Sequence, residues 1–417
     1  MNTFDVVVIG GGPAGGHCAR LLAKIGHKVL LVERFKDFSR NSFSSGGTPL
    51  RTLKQFDLPE NVVGSFWNKL VIVTSNKKGV WESDTDQGGI LDFTKLREFL
   101  ANEVKINRGE VWMGSRYVDH LEQGDEILVT IKNNLTNEYM KVVSRVLVDA
   151  TGPSRSITCR KGKHGSKLIT GTGVEYLIKV NDEAYERNAK ALTFLLGYKW
   201  MPKGYSWVFP MEKNQLKIGA GILNKKHKLV KEVKPLKYYI ELLIKEYVKP
   251  DDYEILDIHG ETLRYSLGLQ DTYTEGKVIA IGDTVSTVNF LGGEGIRHAM
   301  LSAEVATRYI DEFLKEERRD FNGYKEEMYS IFLAKWKISE KLGMKKYIED
   351  ADTLVDKVVS YLKPMKLEDI VNILFYYEFD KISKGFGSYA LRKLKSKFTY
   401  LINWMSNLFK NKIYNLK

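Results

Sequence analysis

The chain has 417 residues, of which 43% are hydrophobic, and a formal net charge of +12. This length exceeds one ordinary domain, so we expect two or three domains with well-formed cores. No run of the sequence approaches the roughly twenty apolar residues of a membrane-spanning helix. A strand-like pattern from Phe4 leaves no room for a secretory leader, so we expect a cytoplasmic protein. The two cysteines, Cys18 and Cys159, have no metal-binding spacing and fit buried side chains in a reducing compartment.

The excess positive charge is concentrated at one end of the chain. Eight Lys, one Arg and no acidic residue lie in 381–417, and the body shows no basic stripe with aromatic platforms, which argues against a nucleic-acid partner. Leu394, Phe398 and Leu401 share one helical face of this tail. We therefore expect 381–417 to form a basic amphipathic helix on an anionic membrane surface, which makes the protein peripherally membrane-associated. A helix docked on the body and an RNA-binding tail are the alternatives.

The first thirty-four residues carry the most specific motif. An apolar run ending at Ile9 is typical of a buried parallel strand, and Gly10, Gly12 and Gly15 follow it in the spacing GxGxxG at the start of a helix. The first glycine permits the tight turn, the second the approach of a pyrophosphate, and the third close helix–strand packing. A second apolar strand ends at Glu33 and Arg34, where an acid binds the ribose of an adenosine. The sequence predicts a dinucleotide site.

The middle of the chain alternates between two kinds of sheet. The Ser- and Gly-rich segment Phe35–Pro59 reads as a loop that either borders the site or connects elements at the surface. Short strands and a helix over Phe93–Val104 follow, and 111–144 reads as an antiparallel meander. A buried strand then ends in Ala150, Thr151 and Gly152, small residues that suit a strand passing close to a ligand.

A second glycine-rich region indicates which dinucleotide is bound. An apolar strand ends in Gly282-Asp283, which places a carboxylate at the ligand-binding edge of the sheet, where it could bind a ribityl chain. Gly293 and Gly295 then begin a helix, whose free backbone N–H groups suit the negative charge of a reduced flavin. These features favour FAD as the cofactor.

Together these motifs resemble the flavoprotein group that includes p-hydroxybenzoate hydroxylase and the geranylgeranyl reductases. Tyr205-x-Trp207-x-Phe209-Pro210, followed by Gly219-x-Gly221, is similar to the substrate-domain signature of geranylgeranyl reductases. The resemblance implies that Tyr205, Trp207 and Phe209 line an isoprenoid pocket, and their alternation on a strand would place all three on one face. The chain departs from that family in having Ser44-Ser45-Gly46-Gly47 where a Pro-Cys-Gly is common. Arg97 stands near a family arginine but out of register.

The resemblance implies an α/β fold with a Rossmann-like FAD domain, an inserted antiparallel sheet and a C-terminal helical region. The expected units are an FAD-binding domain (1–110, 145–165 and 275–312), the meander (111–144), a substrate-binding sheet (166–274), a helical cap (313–380) and the basic tail (381–417).

The implied function is reduction of carbon–carbon double bonds in a geranylgeranyl or related isoprenoid chain. Because there is no second GxGxxG motif, electrons would come from transiently bound NADPH or from a small acidic carrier such as reduced ferredoxin. No catalytic proton donor is identified, and His298 reads as structural. An aromatic monooxygenase and a non-redox flavoprotein, such as a carotenoid cyclase-like enzyme or an isoprenoid carrier, are the alternatives.

Overall fold

The computed structural model describes residues 2–39, 44–158 and 168–381. Its strands, in chain order, are β1 (Asn2–Ile9), β2 (Val29–Val32), β3 (Gly47–Pro49), β4 (Val63–Trp67), β5 (Lys69–Val73), β6 (Lys78–Glu82), β7 (Gly88–Leu91), β8 (Glu110–Trp112), β9 (Ser115–Gln123), β10 (Glu126–Asn133), β11 (Tyr139–Asp149), β12 (Ile169–Val180), β13 (Ala191–Gly197), β14 (Met201–Pro210), β15 (Gln215–Leu223), β16 (Tyr253–Tyr265), β17 (Thr274–Glu275) and β18 (Val278–Ala280). Its α-helices are α1 (Pro13–Lys24), α2 (Arg51–Gln55), α3 (Phe93–Ile106), α4 (Asp182–Asn188), α5 (Leu236–Leu243), α6 (Ile296–Leu314), α7 (Tyr324–Met344), α8 (Asp352–Leu362) and α9 (Leu367–Phe375).

The first sheet is built around parallel strands in the order β18-β11-β1-β2-β8. Strand β1 is apolar on both faces and buried along most of its length, because helices cover one face and the meander lies against the other. The expected α/β class with a Rossmann-like domain is confirmed. The meander strands belong to this same sheet. Strand β11 runs unbroken to Asp149 through the boundary expected at residue 144, pairing with β10 over 139–144 and with β1 over 142–149.

The second sheet has seven strands in the order β16-β12-β15-β14-β13-β5-β6. Strands β5 and β6 were assigned to the FAD-binding segment from their place in the sequence, but β5 pairs with β13 and extends this sheet. The segment Phe35–Pro59 is also more than a loop, since β3 and α2 lie within it and β3 pairs with β7.

The C-terminal helices pack against both sheets. Tyr324 and Trp336 of α7 join the core around the parallel sheet, whereas Val359 of α8 and Ile370 of α9 pack against the second sheet. Within the described ranges no helix is long and apolar enough to cross a membrane. The expected amphipathic tail lies, from residue 382 onward, outside the described residues. Cys159 also falls outside them. Burial raises the pKa of the Cys18 thiol to about 12, consistent with a small core side chain.

Candidate functional site

A cavity of about 1120 Å³ lies between the carboxyl edge of the parallel sheet and one face of the second sheet. One wall carries Gly12, Glu33 and Asp283, and the other carries Tyr205 and Trp207. Small-molecule sites usually occupy roughly 300–1,000 Å³. The cavity therefore has room for a large cofactor and for a second molecule beside it.

The three glycines of the first turn have different roles in this wall. A Cβ on Gly10, which has a φ of +111°, would lie 2.2 Å from the carbonyl oxygen of Ala150, and a Cβ on Gly15 would lie 1.9 Å from that of Gly10. A Cβ on Gly12 would meet no described atom within 4 Å. Gly10 and Gly15 are thus required by the fold, whereas Gly12 faces open space on the cavity wall, as a backbone that a pyrophosphate approaches must. Gly15 is not among the described residues that line the cavity.

Glu33 and Arg34 lie together on the cavity wall, where β2 ends. The Glu33 carboxylate accepts a hydrogen bond from the backbone N–H of Gly11 at 2.8 Å and another from that of Phe35 at 3.0 Å. The Arg34 guanidinium stacks on the Phe35 ring at 4.7 Å. Both side chains are therefore held beside the glycine turn, where the adenosine end of a dinucleotide binds in such folds.

Arg97 is a site residue that the sequence reasoning set aside. It projects from α3, is only 4% exposed, and lines the cavity with its guanidinium over the rings of Phe93 (4.6 Å) and Phe38 (5.3 Å). Burial lowers the pKa of Arg97, and the negative charge of Glu33 opposes that effect. A cation at this edge suits the phosphates of a dinucleotide. The sequence feature that could have identified Arg97 as a cavity residue is its position within the first two turns of helix α3.

The middle of the cavity is bordered by Gly152, Asp283, Gly293 and Gly295. The Asp283 carboxylate accepts hydrogen bonds from the Val288 N–H at 3.1 Å and the Thr287 hydroxyl at 3.3 Å, while burial raises its pKa. Gly152 has a φ of +61° with no described atom within 4 Å of a Cβ position.

Helix α6 begins after Gly295 with no side-chain cap, which leaves backbone N–H groups available to an anionic ring edge. These residues fit a flavin at this point of the cavity.

The aromatic residues of β14 are divided between cavity and core. Tyr205 and Trp207 line the cavity, with ring centroids 5.7 Å apart. Phe209 shares their face but is 3% exposed and packs against Phe194 at 5.3 Å in the core beyond the described cavity lining. Phe209 is therefore not among the described residues that line the cavity, and its expected place in the substrate pocket stays a prediction.

Two tyrosines connect the second sheet and the C-terminal region to the glycine loop before α6. The Tyr205 hydroxyl donates to the Gly292 carbonyl at 2.7 Å, and the Tyr347 hydroxyl donates to the Leu291 carbonyl at 2.6 Å. Burial raises the pKa of Tyr205 to about 12, so its hydroxyl stays protonated as this bond requires.

His298 lies behind the glycine loop, not in the cavity lining, and packs on the Trp336 ring at 4.8 Å. Burial lowers the pKa of His298 to about 4, against the opposing charge of Glu294, and the ring is neutral near pH 7. No catalytic proton donor is assigned.

Two different family models match the two parts of the chain that form the cavity walls. A model described as FAD dependent oxidoreductase matches residues 5–155, and one described as Geranylgeranyl reductase catalytic domain matches residues 171–261. The first range carries the glycine turn, Glu33 and Arg97, and the second carries Tyr205 and Trp207. The chain is an FAD-dependent oxidoreductase with geranylgeranyl reductase-like relatives.

Relatives support this assignment over most of the chain. A digeranylgeranylglycerophospholipid reductase of Haloferax volcanii is 29% identical over 334 residues, covering 76% of this oxidoreductase and 78% of the relative. One of Methanocaldococcus jannaschii is 26% identical and covers 89% and 94% of the two chains.

Solved structures show the same fold. A geranylgeranyl bacteriochlorophyll reductase-like protein of Thermoplasma acidophilum matches with a TM-score of 0.77 at 21% identity, covering 92% of this chain and 96% of the other. A p-nitrophenol 4-monooxygenase of Pseudomonas putida matches with a TM-score of 0.71 at 16% identity, covering 92% and 99%.

Proposed function

We propose that this oxidoreductase reduces carbon–carbon double bonds in the geranylgeranyl or related isoprenoid chains of a lipid. The observation that carries the proposal is the continuity of the cavity, which joins the glycine cradle of the first sheet to the Tyr205 and Trp207 face of the second. A chain lying along that face would reach the same space as the flavin. Relatives named digeranylgeranylglycerophospholipid reductases point to the same class of substrate.

Within this proposal the residues divide their work between cofactor and substrate. Gly12, Arg97 and Asp283 would hold FAD, which once reduced by the electron donor would supply a hydride to an acceptor carbon. Tyr205 and Trp207 would hold the apolar chain and exclude water from the reacting carbons. The tyrosine bond to Gly292 would keep the substrate face and the glycine loop in fixed relation.

The proposal is tested with the FAD-loaded protein under anaerobic conditions. After reduction with dithionite, geranylgeranyl diphosphate or a geranylgeranylated glycerophospholipid is added, and flavin absorbance and product mass are followed. Reoxidation of the flavin together with a gain of two hydrogens per step would support the reductase. A flavin that stays reduced with every prenyl probe, but hydroxylates an added phenol once oxygen is admitted, would instead indicate a monooxygenase.

The electron donor is proposed to be NADPH or a reduced ferredoxin. The basic tail, which holds most of the formal charge of +12, supports an acidic carrier, because a basic surface steers such a partner electrostatically. Rates of flavin reduction by each donor distinguish them: a ferredoxin rate should fall steeply between low and high salt. A rate that is independent of salt would argue against a docked acidic carrier.

Membrane association is proposed through the basic tail, 381–417. Its support is the sequence pattern, in which apolar residues share one helical face and basic residues lie on or beside the other. The full chain should co-sediment with vesicles containing anionic lipid and less with zwitterionic vesicles. Replacing Lys393, Lys395 and Lys397 by Glu should abolish the difference, and equal binding to both vesicle types would count against the proposal.

A further inference from the structure

The cavity wall on the second sheet ends at one cross-strand row of residues. His259 of β16 pairs with Glu175 of β12, Glu175 with Gly219 of β15, and Gly219 with Trp207 of β14. Residues directly opposite one another on neighbouring strands point to the same face of a sheet. These four residues therefore form a line across the face that borders the cavity.

Gly219 allows its neighbours on either side in this line, Trp207 and Glu175, to meet. A Cβ at Gly219 would lie 2.1 Å from Cζ2 of Trp207, so the indole lies flat across the glycine. Its Nε1–H donates a hydrogen bond of 2.6 Å to the Glu175 carboxylate on the next strand. The indole thus spans strand β15 and forms a bar fixed at its far end.

On the open side of the bar the same face is lined by small residues. Gly171 and Gly173 of β12 lie beside Leu223 and Gly221 of β15, and the three glycines border the cavity as a shallow trough.

On the closed side the cavity stops. Among the described residues, its lining on β12, β15 and β16 ends before Glu175, Gly219 and His259, and on β14 it ends at Trp207 itself. The bar stands where the trough ends.

The bar is held by a buried polar cluster. The Glu175 side chain has no exposed surface and also contacts His259 Nε2 at 3.1 Å, and His259 Nδ1 contacts the Asp257 carboxylate at 2.9 Å. Behind it, the Lys217 ammonium donates to the Ser44 carbonyl at 2.7 Å. A buried carboxylate with these partners has little freedom to release the indole, since doing so would leave the Trp207 N–H unpaired.

We propose that Trp207, positioned by Glu175 across Gly219, is the stop that limits how far an isoprenoid chain enters the trough and so sets the accepted chain length. This inference rests on the proposed function for its substrate class. It assigns to Glu175 a positioning role and to Trp207 a role in specificity.

The test compares Trp207→Ala with Trp200→Ala in the FAD-loaded protein. Trp200 is as buried as Trp207 but packs on the opposite face of the sheet, so its loss should cost similar stability without touching the trough. Probes are prenyl diphosphates of three, four and five isoprene units. In Trp207→Ala, the ratio of kcat/KM for five units over four should rise about tenfold or more, because pockets discriminate added apolar groups by that order. Trp200→Ala should keep the wild-type ratio.

Glu175 is tested by its own pair of variants. Glu175→Ala should shift the ratio in the same direction as Trp207→Ala, whereas Glu175→Gln keeps an acceptor for the indole and should restore the wild-type profile. A folded Trp207→Ala protein whose kcat/KM depends on chain length as in wild type would refute the proposal that Trp207 limits chain entry.

A binding measurement keeps this test independent of turnover. Dissociation constants of saturated alkyl phosphates of increasing length are measured for wild type and Trp207→Ala by flavin fluorescence. The wild-type affinity should stop increasing at a shorter chain than that of the variant, and the same limit in both would refute the stop even if no probe is reduced. Failure of reduction with a shifted binding limit would reject the proposed reaction and retain the stop.

Discussion

The variant Gly12→Ala tests whether the glycine turn binds the cofactor or only shapes the fold. Gly12 has ordinary extended backbone angles at the N-cap of α1, and its Cβ position is open, so the alanine variant should fold with a stability loss of only about 1 kcal/mol for the poorer cap. In the holoprotein the methyl would stand between the backbone and a pyrophosphate. Losing one or two charge-assisted hydrogen bonds of about 1.5–3 kcal/mol each weakens FAD binding by roughly ten- to a thousandfold or more.

The assay for Gly12→Ala is an FAD titration of the apoprotein, paired with a denaturant melt. Gly10→Ala is the matched comparison, because its Cβ would meet the Ala150 carbonyl oxygen at 2.2 Å and its φ is +111°. That variant should lose stability as well as FAD. A Gly12→Ala protein that binds FAD as tightly as wild type would refute the assignment of this wall to the cofactor.

Three further predictions follow from buried polar groups. The folded state disfavours protonated His298, whose pKa is lowered to about 4, so stability should fall by about 3 kcal/mol as pH drops from about 6.5 to 4. In His298→Gln, the stability measured by urea melts should change less between pH 6.5 and 4. An unchanged pH profile would contradict the attribution of this loss to His298. Arg155→Met leaves the buried Asp271 carboxylate without its ion-pair partner and should lower the free energy of unfolding by about 3–5 kcal/mol. The double variant Arg155→Met/Asp271→Asn should lose less, and equal melts of the two variants would refute this. Asp283→Asn should weaken FAD about tenfold while the melting midpoint stays near wild type, and unaltered FAD affinity would count against its place in the site.

Local patterns predicted the first sheet well. The strand ending at Ile9, the turn at Gly10 and the helix after it are encoded within a few residues of one another, so composition and spacing were sufficient. The edge positions of Glu33 and Asp283 followed from the rule that parallel strands present their carboxyl ends to a ligand. Contact of these residues with FAD stays a prediction.

Nonlocal pairing was beyond the reach of such patterns. The sequence shows that β5 is a strand but not that its partner is β13, far along the chain. The Glu175–Trp207 bond likewise depends on strand register across Gly219. A signal did exist, because the Glu175 carboxylate stands between Val174 and Tyr176 in strand β12, and a carboxylate is costly to bury without partners. Arg97 was set aside on sequence register, although the face of α3 that it occupies decides its position.

The placement of β5 and β6 has a consequence for how the protein can be made and divided. The chain leaves the nucleotide-binding sheet after β2 to contribute β5 and β6 to the second sheet, and returns for β8–β11. It leaves again for β12–β16 and returns a second time for β17 and β18. Neither sheet is therefore encoded by a continuous segment, and a fragment ending before β13 would expose the edge of β5 unpaired. Such long-range closure slows folding and favours one cooperative unit over separable modules. During synthesis, the second sheet has all its strands once β16 is made, whereas the nucleotide-binding sheet must wait for β17 and β18.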